Sequence, residues 1–346
     1  MTDLTTIFKS RVSLRAAFVQ GLEDMLQHPE LGVFILVLAN ASYDAEIFAR
    51  LEDKLRTRFA QIEAEVRGDL LAGRPLSGAP DDVTVILKLM AVGLSRLSLS
   101  EFRRAGDFEL QFNVLRAFRP PRMSDAVVKD IYSPFDAAKF NFNKPFLRKE
   151  IFWQGDLCGH HCRLLYNKFP FAELHGLLVI DPDDEKPQWL SEEDHQLIWQ
   201  ISETLGMDIP SVGFGYNSYG AYASVNHQHL QMFARSASVY PVEEKHWQHN
   251  GGDRAYPLAC HTYTDSAMAW GHINRLHETN QAYNLLYRPG VLYVLPRAKQ
   301  GSYEHAEWTG GFAWAELMGA VTTFNASDYS ALSGQDVAAE LAKLSL

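Results

Sequence analysis

The sequence predicts an α+β fold, and three observations lead to that prediction. Within the first hundred of the 346 residues, apolar side chains such as Ile47 and Leu51 recur about one helical turn apart among charged ones. From residue 106 onward, short runs of β-branched and aromatic residues are typical of strands. One of these runs is followed by Ser191 and three acidic residues, a pattern that begins helices. We therefore expect a helical N-terminal region, residues 1–105, and a strand-rich core, residues 106–346.

Each element is predicted from its own local pattern. A stretch rich in Gly, Pro, Ser and Asp at residues 73–82 separates the first two predicted helices. Tyr166-Asn167 and Tyr283-Asn284 each precede an apolar strand. This weak internal repeat leaves open whether the core is duplicated. Helices are expected over residues 45–68, 83–97, 191–205 and 314–324, and strands over residues 108–118, 149–154, 162–168, 177–181, 222–233, 282–286 and 291–295.

Composition and charge exclude several classes of protein. Hydrophobic residues make up 47% and charged residues 21%, which is typical of a globular chain. The formal charge of -10 disfavours binding to nucleic acid or to an anionic membrane. The most apolar stretch, residues 31–41, is about half as long as the ~20 residues that span a bilayer. Three cysteines and an N-terminus without an apolar signal run predict a cytoplasmic protein.

The most informative segment combines glycines with alternating polar residues. If residues 222–233 form a strand, its period of two places His227, His229 and Gln231 on one face. Three glycines lie upstream, between residues 213 and 220, where they would let backbone N–H groups approach an anion. The segment therefore predicts a polar site, with an anionic ligand among its candidates.

The residues alone leave three interpretations of this segment open. In the first, both histidines are hydrogen-bonded members of a partly buried sheet. In the second, they share a metal ion with members of the Cys158-Gly-His-His-Cys162 turn, although that spacing is not a typical zinc pair. In the third, His229 attacks a phosphorus atom and Gln231 donates a hydrogen bond to a phosphoryl oxygen.

The string His227-Gln-His229-Leu-Gln231 resembles the H-x-H-x-Q signature of one branch of the histidine-triad (HIT) superfamily. This branch contains the galactose-1-phosphate uridylyltransferases and the diadenosine tetraphosphate phosphorylases. Residues 215–227, 134–144 and 167–175 are similar to segments of GDP-L-galactose and GDP-D-glucose phosphorylases, and residues 283–297 resemble the C-terminal strand pair of the diadenosine phosphorylases. The resemblance implies a HIT-like antiparallel sheet, duplicated as in the uridylyltransferases (GalT-like), with helices on its face.

The resemblance also implies roles for individual residues. His229 matches the residue that becomes nucleotidylated, His227 lies beside it, and Gln231 matches the residue that hydrogen-bonds the α-phosphate. Several basic residues of the matched region would offset the negative charge of a substrate. The expected substrate-binding residues are Lys144, Asn167, Lys168, His175, Asn217, Ser218 and Asn226.

The implied function is phosphorolysis of a GDP-hexose to GDP and hexose 1-phosphate through a covalent nucleotidyl-His229 intermediate. A sugar phosphate, whose last pKa is about 6, leaves without a general acid. A third histidine as proton donor is therefore not needed, and Gln231 suits this reaction. Diadenosine polyphosphate phosphorylase (ATP adenylyltransferase) and hexose-1-phosphate uridylyltransferase stay open as alternatives. A nucleotide-binding sensor without turnover is the alternative from another class.

These interpretations also predict the ligands. The expected substrates are a nucleotide-sugar or dinucleotide and inorganic phosphate, with no nucleic acid and no membrane as partners, and a homodimer is left open. No cofactor is expected, because the cysteine pair of Cys158 and Cys162 lacks a convincing match to the zinc-binding pair of some uridylyltransferases.

Overall fold

The computed structural model describes residues 6–118, 126–236 and 239–346, and these ranges contain both helices and antiparallel strands. The predicted α+β class is therefore confirmed. In the described part of the first hundred residues, four α-helices precede the first strand. They are α1 (Arg11–Met25), α2 (Leu31–Tyr43), α3 (Ala45–Leu71) and α4 (Pro80–Val92).

Local sequence explains where two of these helices begin or end. The Asp44 side chain accepts hydrogen bonds from backbone N–H groups in the first turn of α3, and the helix predicted over residues 45–68 is confirmed. Gly93, with a φ of 87°, follows α4 in a conformation that other residues rarely adopt. The helix predicted over residues 83–97 is therefore α4, shifted toward the N-terminus.

Eleven strands of the described residues form two sheets. In the large sheet the strand order is β3-β4-β5-β7-β6-β9-β10-β8, and every neighbouring pair is antiparallel. In the small sheet β2 pairs antiparallel with β1 and parallel with β11. The strands are β1 (Glu101–Ala105), β2 (Phe108–Phe112), β3 (Ile151–Leu157), β4 (His160–Tyr166), β5 (Gly176–Ile180), β6 (Val212–Asn217), β7 (Leu230–Ala234), β8 (His261–Tyr263), β9 (Tyr283–Arg288), β10 (Val291–Pro296) and β11 (Ala320–Thr323).

The remaining helices lie between and after the strands. Ser191 accepts a hydrogen bond from the Asp194 backbone N–H, so the predicted helix start is confirmed. These helices are α5 (Val114–Phe118), α6 (Glu192–Asp208), α7 (Ser266–Glu278), α8 (Trp314–Leu317), α9 (Ala326–Ala331) and α10 (Gly334–Ala342).

The two faces of the large sheet have different surroundings. Alternate residues of the central strands, such as Phe214 and Leu230, belong to a core cluster that also contains residues of α1 to α4, α6 and α7. We call this side the helical face. On the opposite side, Phe233 belongs to a second cluster with Trp314 and the small sheet. We call that side the site face.

Two of the upstream glycines serve packing on the site face. A Cβ atom added at Gly213 would lie 2.4 Å from the Phe233 ring, and one added at Gly215 would lie 2.2 Å from the Trp314 ring. Both residues lie within β6, where any side chain would displace an aromatic ring. The prediction that these two glycines admit an anion is therefore wrong.

Three predicted elements have different structures. Residues 222–229 are not strand, and only the end of the predicted strand over residues 222–233 forms β7. The predicted helix over residues 314–324 divides into α8 and β11 at Gly319, whose φ is 89°. The predicted strand over residues 108–118 divides into β2 and α5. In each case a local apolar pattern fits two elements, and tertiary packing decides between them.

The repeated Tyr-Asn dipeptide does not mark equivalent strands. Tyr166 is the last residue of β4, whereas Tyr283 is the first residue of β9. This repeat therefore gives no support for a duplicated core, and the duplication stays a prediction from the resemblance.

The N-terminal helices cover the helical face of the sheet. The Tyr166 hydroxyl donates to the Phe18 carbonyl of α1, and the Asn40 side chain of α2 donates to the Asn167 carbonyl. Because β1 begins at Glu101, the strands start slightly before the predicted boundary, and the division at residues 105 and 106 stays a prediction. No helix in the described ranges is both long enough and apolar enough to cross a bilayer.

Candidate active site

Polar side chains gather on the site face where β5, β7 and β6 lie side by side. Gln231 of β7 lies opposite Leu177 of β5 and opposite Gly215 of β6. His229 directly precedes β7, and Asn217 ends β6. Residues that are far apart in the sequence therefore meet on one surface of the sheet.

The His229 ring has one bound nitrogen and one free nitrogen. Its Nδ1 lies 2.8 Å from the carbonyl oxygen of His227, and because a carbonyl only accepts, Nδ1 must carry the proton. Nε2 has no hydrogen-bond partner among the described residues, so its lone pair is available. Burial lowers the pKa of His229 to about 4, and the imidazole is therefore neutral at neutral pH. A neutral imidazole with a free Nε2 is the form that acts as a nucleophile.

The His227 ring is bound at Nδ1, which accepts from the backbone N–H of Phe142 at 3.1 Å. Burial lowers the pKa of His227 to about 4. The Phe142 ring lies beside both imidazoles, with its centroid 4.9 Å from that of His229. His227 therefore joins two backbone segments, and its own carbonyl orients His229.

His175 orients the amide of Gln231. The backbone N–H of Phe171 donates to His175 Nδ1, so the proton lies on Nε2, which is 3.1 Å from Gln231 Oε1. Burial is the main cause that lowers the pKa of His175 to about 3, so this ring stays neutral. The Gln231 oxygen accepts from His175, and its amide nitrogen, which has no partner in the described parts of the chain, is left to donate.

Asn217 offers a second amide donor. Its Oδ1 accepts from the Asn284 side chain at 2.6 Å and from the Trp314 backbone N–H at 2.8 Å. The described residues provide no partner for its Nδ2. Ser218 next to it exchanges hydrogen bonds with the Tyr283 backbone, which joins the end of β6 to the start of β9. Asn217 thus faces the site with a fixed oxygen and an unbound N–H group, and Ser218 supports the strand ends.

The other predicted contacts are bound to protein groups. Lys168 forms an ion pair of 2.5 Å with Asp82 of α4, and Lys144 donates to the Ala137 carbonyl. Asn226 Nδ2 donates to the carbonyls of Ser133 and Pro134. Asn167 Oδ1 accepts from the Phe169 backbone N–H. Substrate contacts from these four residues stay predictions.

The structure adds Gln188 to this set, a residue that sequence reasoning missed. Gln188 is 1% exposed, and its side chain bonds the backbones of His229 and Asn217. It lies in an irregular segment between β5 and α6, where no periodic pattern distinguishes it. Only its hydrogen bond to His229, 41 positions later in the chain, identifies it as part of the site.

The metal interpretation has little geometric basis in the described residues, among which no group of three or more His, Cys, Asp or Glu could hold an ion. Cys158 Sγ lies 3.6 Å from the Thr204 hydroxyl, and the His160 ring hydrogen-bonds Asp181 at 2.7 Å. The expectation that the chain needs no cofactor stays a prediction.

A cavity of about 550 Å³ borders the site on the side of Phe171. None of the predicted site residues lines it. Among its charged groups, Arg235 pairs with Glu109, and Asp44 pairs with Arg15. Because no predicted site residue lines this cavity, the cavity is separate from the free donors around His229.

Known proteins support the resemblance that the motifs indicate. Residues 104–233 match the family model described as GDPGP1-like, N-terminal domain. GDP-D-glucose phosphorylase 1 of Danio rerio is 31% identical over 121 residues, 35% of this chain and 34% of that protein. The same-named protein of Homo sapiens is 32% identical over 167 residues, 44% of this chain and 42% of that protein. The matched part thus spans less than half the length of these relatives.

The fold has a counterpart among solved structures. The crystal structure of yeast Ap4A phosphorylase Apa2 aligns with a TM-score of 0.52 and 17% identity, covering 78% of this chain and 95% of that chain. At this identity the likeness concerns the fold alone. Together with the family match, which contains His175, His229 and Gln231, it confirms the resemblance to this branch of HIT-type proteins.

Proposed function

We propose that this chain is a nucleotidyltransferase that phosphorolyses a GDP-hexose to GDP and hexose 1-phosphate through nucleotidyl-His229. The observation that carries the proposal is the His229 ring, which is neutral, bound at Nδ1 and without a partner at Nε2 among the described residues, and which lies on the same sheet face as Gln231 and Asn217. The choice of a GDP-hexose rests on the similarity of residues 104–233 to proteins named GDP-D-glucose phosphorylase 1.

In the first step the lone pair of His229 Nε2 attacks the α-phosphorus. The bond between this phosphorus and the bridging oxygen breaks, and hexose 1-phosphate leaves with the electron pair. A general acid is not needed, because a phosphate with a pKa of about 6 is a good leaving group at neutral pH. Positive charge that develops on the ring is stabilised by the hydrogen bond from Nδ1 to the His227 carbonyl.

In the second step inorganic phosphate attacks the same phosphorus. The bond from phosphorus to Nε2 breaks, GDP is formed, and the imidazole returns to its neutral state. The amide N–H groups of Gln231 and Asn217 are suited to donate to the phosphoryl oxygens in both steps, because each amide oxygen is already bound to the protein. Neutral donors that are fixed before the reaction stabilise charge without reorganisation.

The direct test is incubation of the protein with a panel of GDP-, UDP- and ADP-hexoses and diadenosine tetraphosphate, each with and without inorganic phosphate. We expect phosphate-dependent release of GDP from one GDP-hexose, and a nucleotidyl adduct on His229 by mass spectrometry when phosphate is omitted. Preference for diadenosine tetraphosphate or for a UDP-hexose would select one of the alternative transferases. Tight nucleotide binding without products or adduct would overturn the enzyme proposal in favour of a sensor.

The choice of phosphate over water as acceptor has its own test in Gln231→His. An imidazolium at this position would supply a proton donor that Gln231 lacks, so we expect the ratio of GMP to GDP among the products to rise. Gln231→Asn, which shortens the side chain without adding a titrating group, is the control. An unchanged product ratio in Gln231→His would contradict the argument about the acceptor.

A further inference from the structure

An irregular segment runs beside the loop that carries the nucleophile. It comprises residues 186–189 and connects the end of β5 with α6. The Lys186 carbonyl accepts from the Gln228 backbone N–H at 2.9 Å, and the Gln188 backbone N–H donates to Asn226 Oδ1 at 3.0 Å. The two segments therefore pair through both backbone and side-chain groups, although neither is a strand there.

The Gln188 side chain completes this pairing at the site. Its Oε1 accepts from the His229 backbone N–H at 2.9 Å, and its Nε2 donates to the carbonyls of His229 at 3.2 Å and Asn217 at 2.9 Å. The backbone pairing between β6 and β7 ends at Gly215 and Gln231, so His229 and Asn217 lie just beyond the ladder. The planar amide thus takes the place of a backbone pair between them.

We infer that Gln188 is a positioning residue that sets the separation of the nucleophile His229 and the donor Asn217. This inference rests on the proposed function of His229. The backbone of this loop orients the ring of His229, since its Nδ1 bonds the carbonyl of His227, two residues earlier. A displacement of about 1 Å between reacting groups can lower a rate by about 10²-fold, so a side chain that fixes both backbones controls the chemical step.

The main test compares Gln188→Leu with Gln228→Leu. Both wild-type side chains are buried amides in adjacent segments, but Gln228 donates to the Trp189 carbonyl and to Asp194 and makes no bond to the backbone of His229 or Asn217. We expect similar losses of thermal stability. For Gln188→Leu we expect kcat to fall about 10²-fold while the Kd for the GDP-hexose changes less than about threefold. For Gln228→Leu we expect kcat to change less than about threefold.

A second variant, Gln188→Glu, gives a pH signature that a structural role alone would not produce. The ionised carboxylate keeps an acceptor for the His229 N–H, but it faces the carbonyls of His229 and Asn217 without a proton to donate. Protonation restores one donor, and burial raises the pKa of such a carboxyl. We expect kcat of Gln188→Glu to recover as the pH falls from about 8 to about 5.5, with no such recovery in Gln228→Glu.

A measurement on the unliganded protein separates this inference from the proposed function. Nitrogen-15 NMR of wild type should place the His229 proton on Nδ1, and Gln188→Leu should shift the ring toward a mixture of tautomers, whereas Gln228→Leu should not. If wild type has no turnover but this shift is found, the proposed function fails and the positioning role stands. An unchanged tautomer, together with wild-type kcat in an active Gln188→Leu enzyme, would overturn the inference.

Discussion

The site face of the large sheet has two halves with opposite character. In the polar half, where β6 ends and β7 begins, Gln231 and Asn217 lie on the same side of the sheet as His229. In the apolar half, formed by β9 and β10, the corresponding positions carry Leu286 and Leu295, which belong to the buried cluster around Trp314. One antiparallel sheet thus presents a polar surface and a packed apolar core on the same face.

The difference teaches how free donors persist in a buried site. In the apolar half Leu286 and Leu295 pack into the cluster around Trp314, which contributes stability but no chemistry. In the polar half the side-chain amides of Gln231 and Asn217 have their oxygens bound to the protein. Their N–H groups, which have no partner among the described residues, can therefore donate to a ligand. The halves meet where the Asn284 side chain donates to Asn217, so the core orients the edge of the site. We therefore expect mutations to separate activity from stability.

The largest effect on the polar half is expected from His229→Asn. Without the imidazole no nucleotidyl intermediate can form, so kcat should fall at least ~10³-fold while the thermal unfolding temperature stays close to that of wild type. Steady-state kinetics with a GDP-hexose and mass spectrometry for the adduct would check this. Activity near that of wild type would rule out a covalent mechanism.

The matching change in the apolar half is Leu295→Ala. Removal of this fully buried side chain should lower the free energy of unfolding by about 2–5 kcal/mol, because a cavity is left beside Trp314. The kcat of the folded fraction should change less than about threefold. Urea denaturation and kinetics on the same preparation would measure both. A large loss of kcat with little loss of stability would break the distinction between the halves.

A smaller effect is expected from His175→Asn. The shorter side chain cannot maintain the bond from His175 Nε2 to Gln231 Oε1, so the Gln231 amide would lose its fixed orientation. A hydrogen bond is worth about 0.5–1.5 kcal/mol, which predicts a decrease in kcat of up to about tenfold. Leu295→Ala serves as the control, since it leaves this bond in place. Unchanged kcat would mean that Gln231 is oriented by other contacts.

The last comparison concerns the dependence of stability on pH. Burial lowers the pKa of His175 to about 3 and those of His227 and His229 to about 4, below the ordinary ~6.5 of an unfolded chain. Below pH ~6.5 the unfolded state therefore binds more protons, and stability should fall as the pH is lowered toward ~4. Each histidine contributes at most about 1.4 kcal/mol per pH unit.

Urea denaturation between pH ~7 and pH ~4.5 would measure the slope of the free energy of unfolding against pH. His175→Asn should have a shallower slope than wild type, because one titrating group is removed from the polar half. Leu295→Ala, in the apolar half, should keep the wild-type slope although its stability is lower. Equal slopes in wild type and His175→Asn would contradict the buried, neutral state of this ring.

Sequence patterns succeeded for some elements and failed for others for identifiable reasons. The helix at residues 45–68 was predicted well because its apolar positions repeat over many turns. The alternation over residues 222–233 predicted a strand, but an extended loop shows the same alternation when one side of it is buried. Lys168 was expected near a phosphate, yet Asp82, which contributes its ion pair, lies 86 residues earlier in the chain.

The sequence by itself determined the α+β class, the positions of most helices and strands, and the presence of an imidazole and an amide two residues apart. These follow from local periodicity and from residue identity, which need no knowledge of distant partners. Tertiary structure alone decided which ring nitrogen of His229 is free, how Gln231 is oriented, and that Gln188 holds the site together. Those properties depend on hydrogen bonds to partners as far as 56 residues away, which become neighbours only when the sheet has formed.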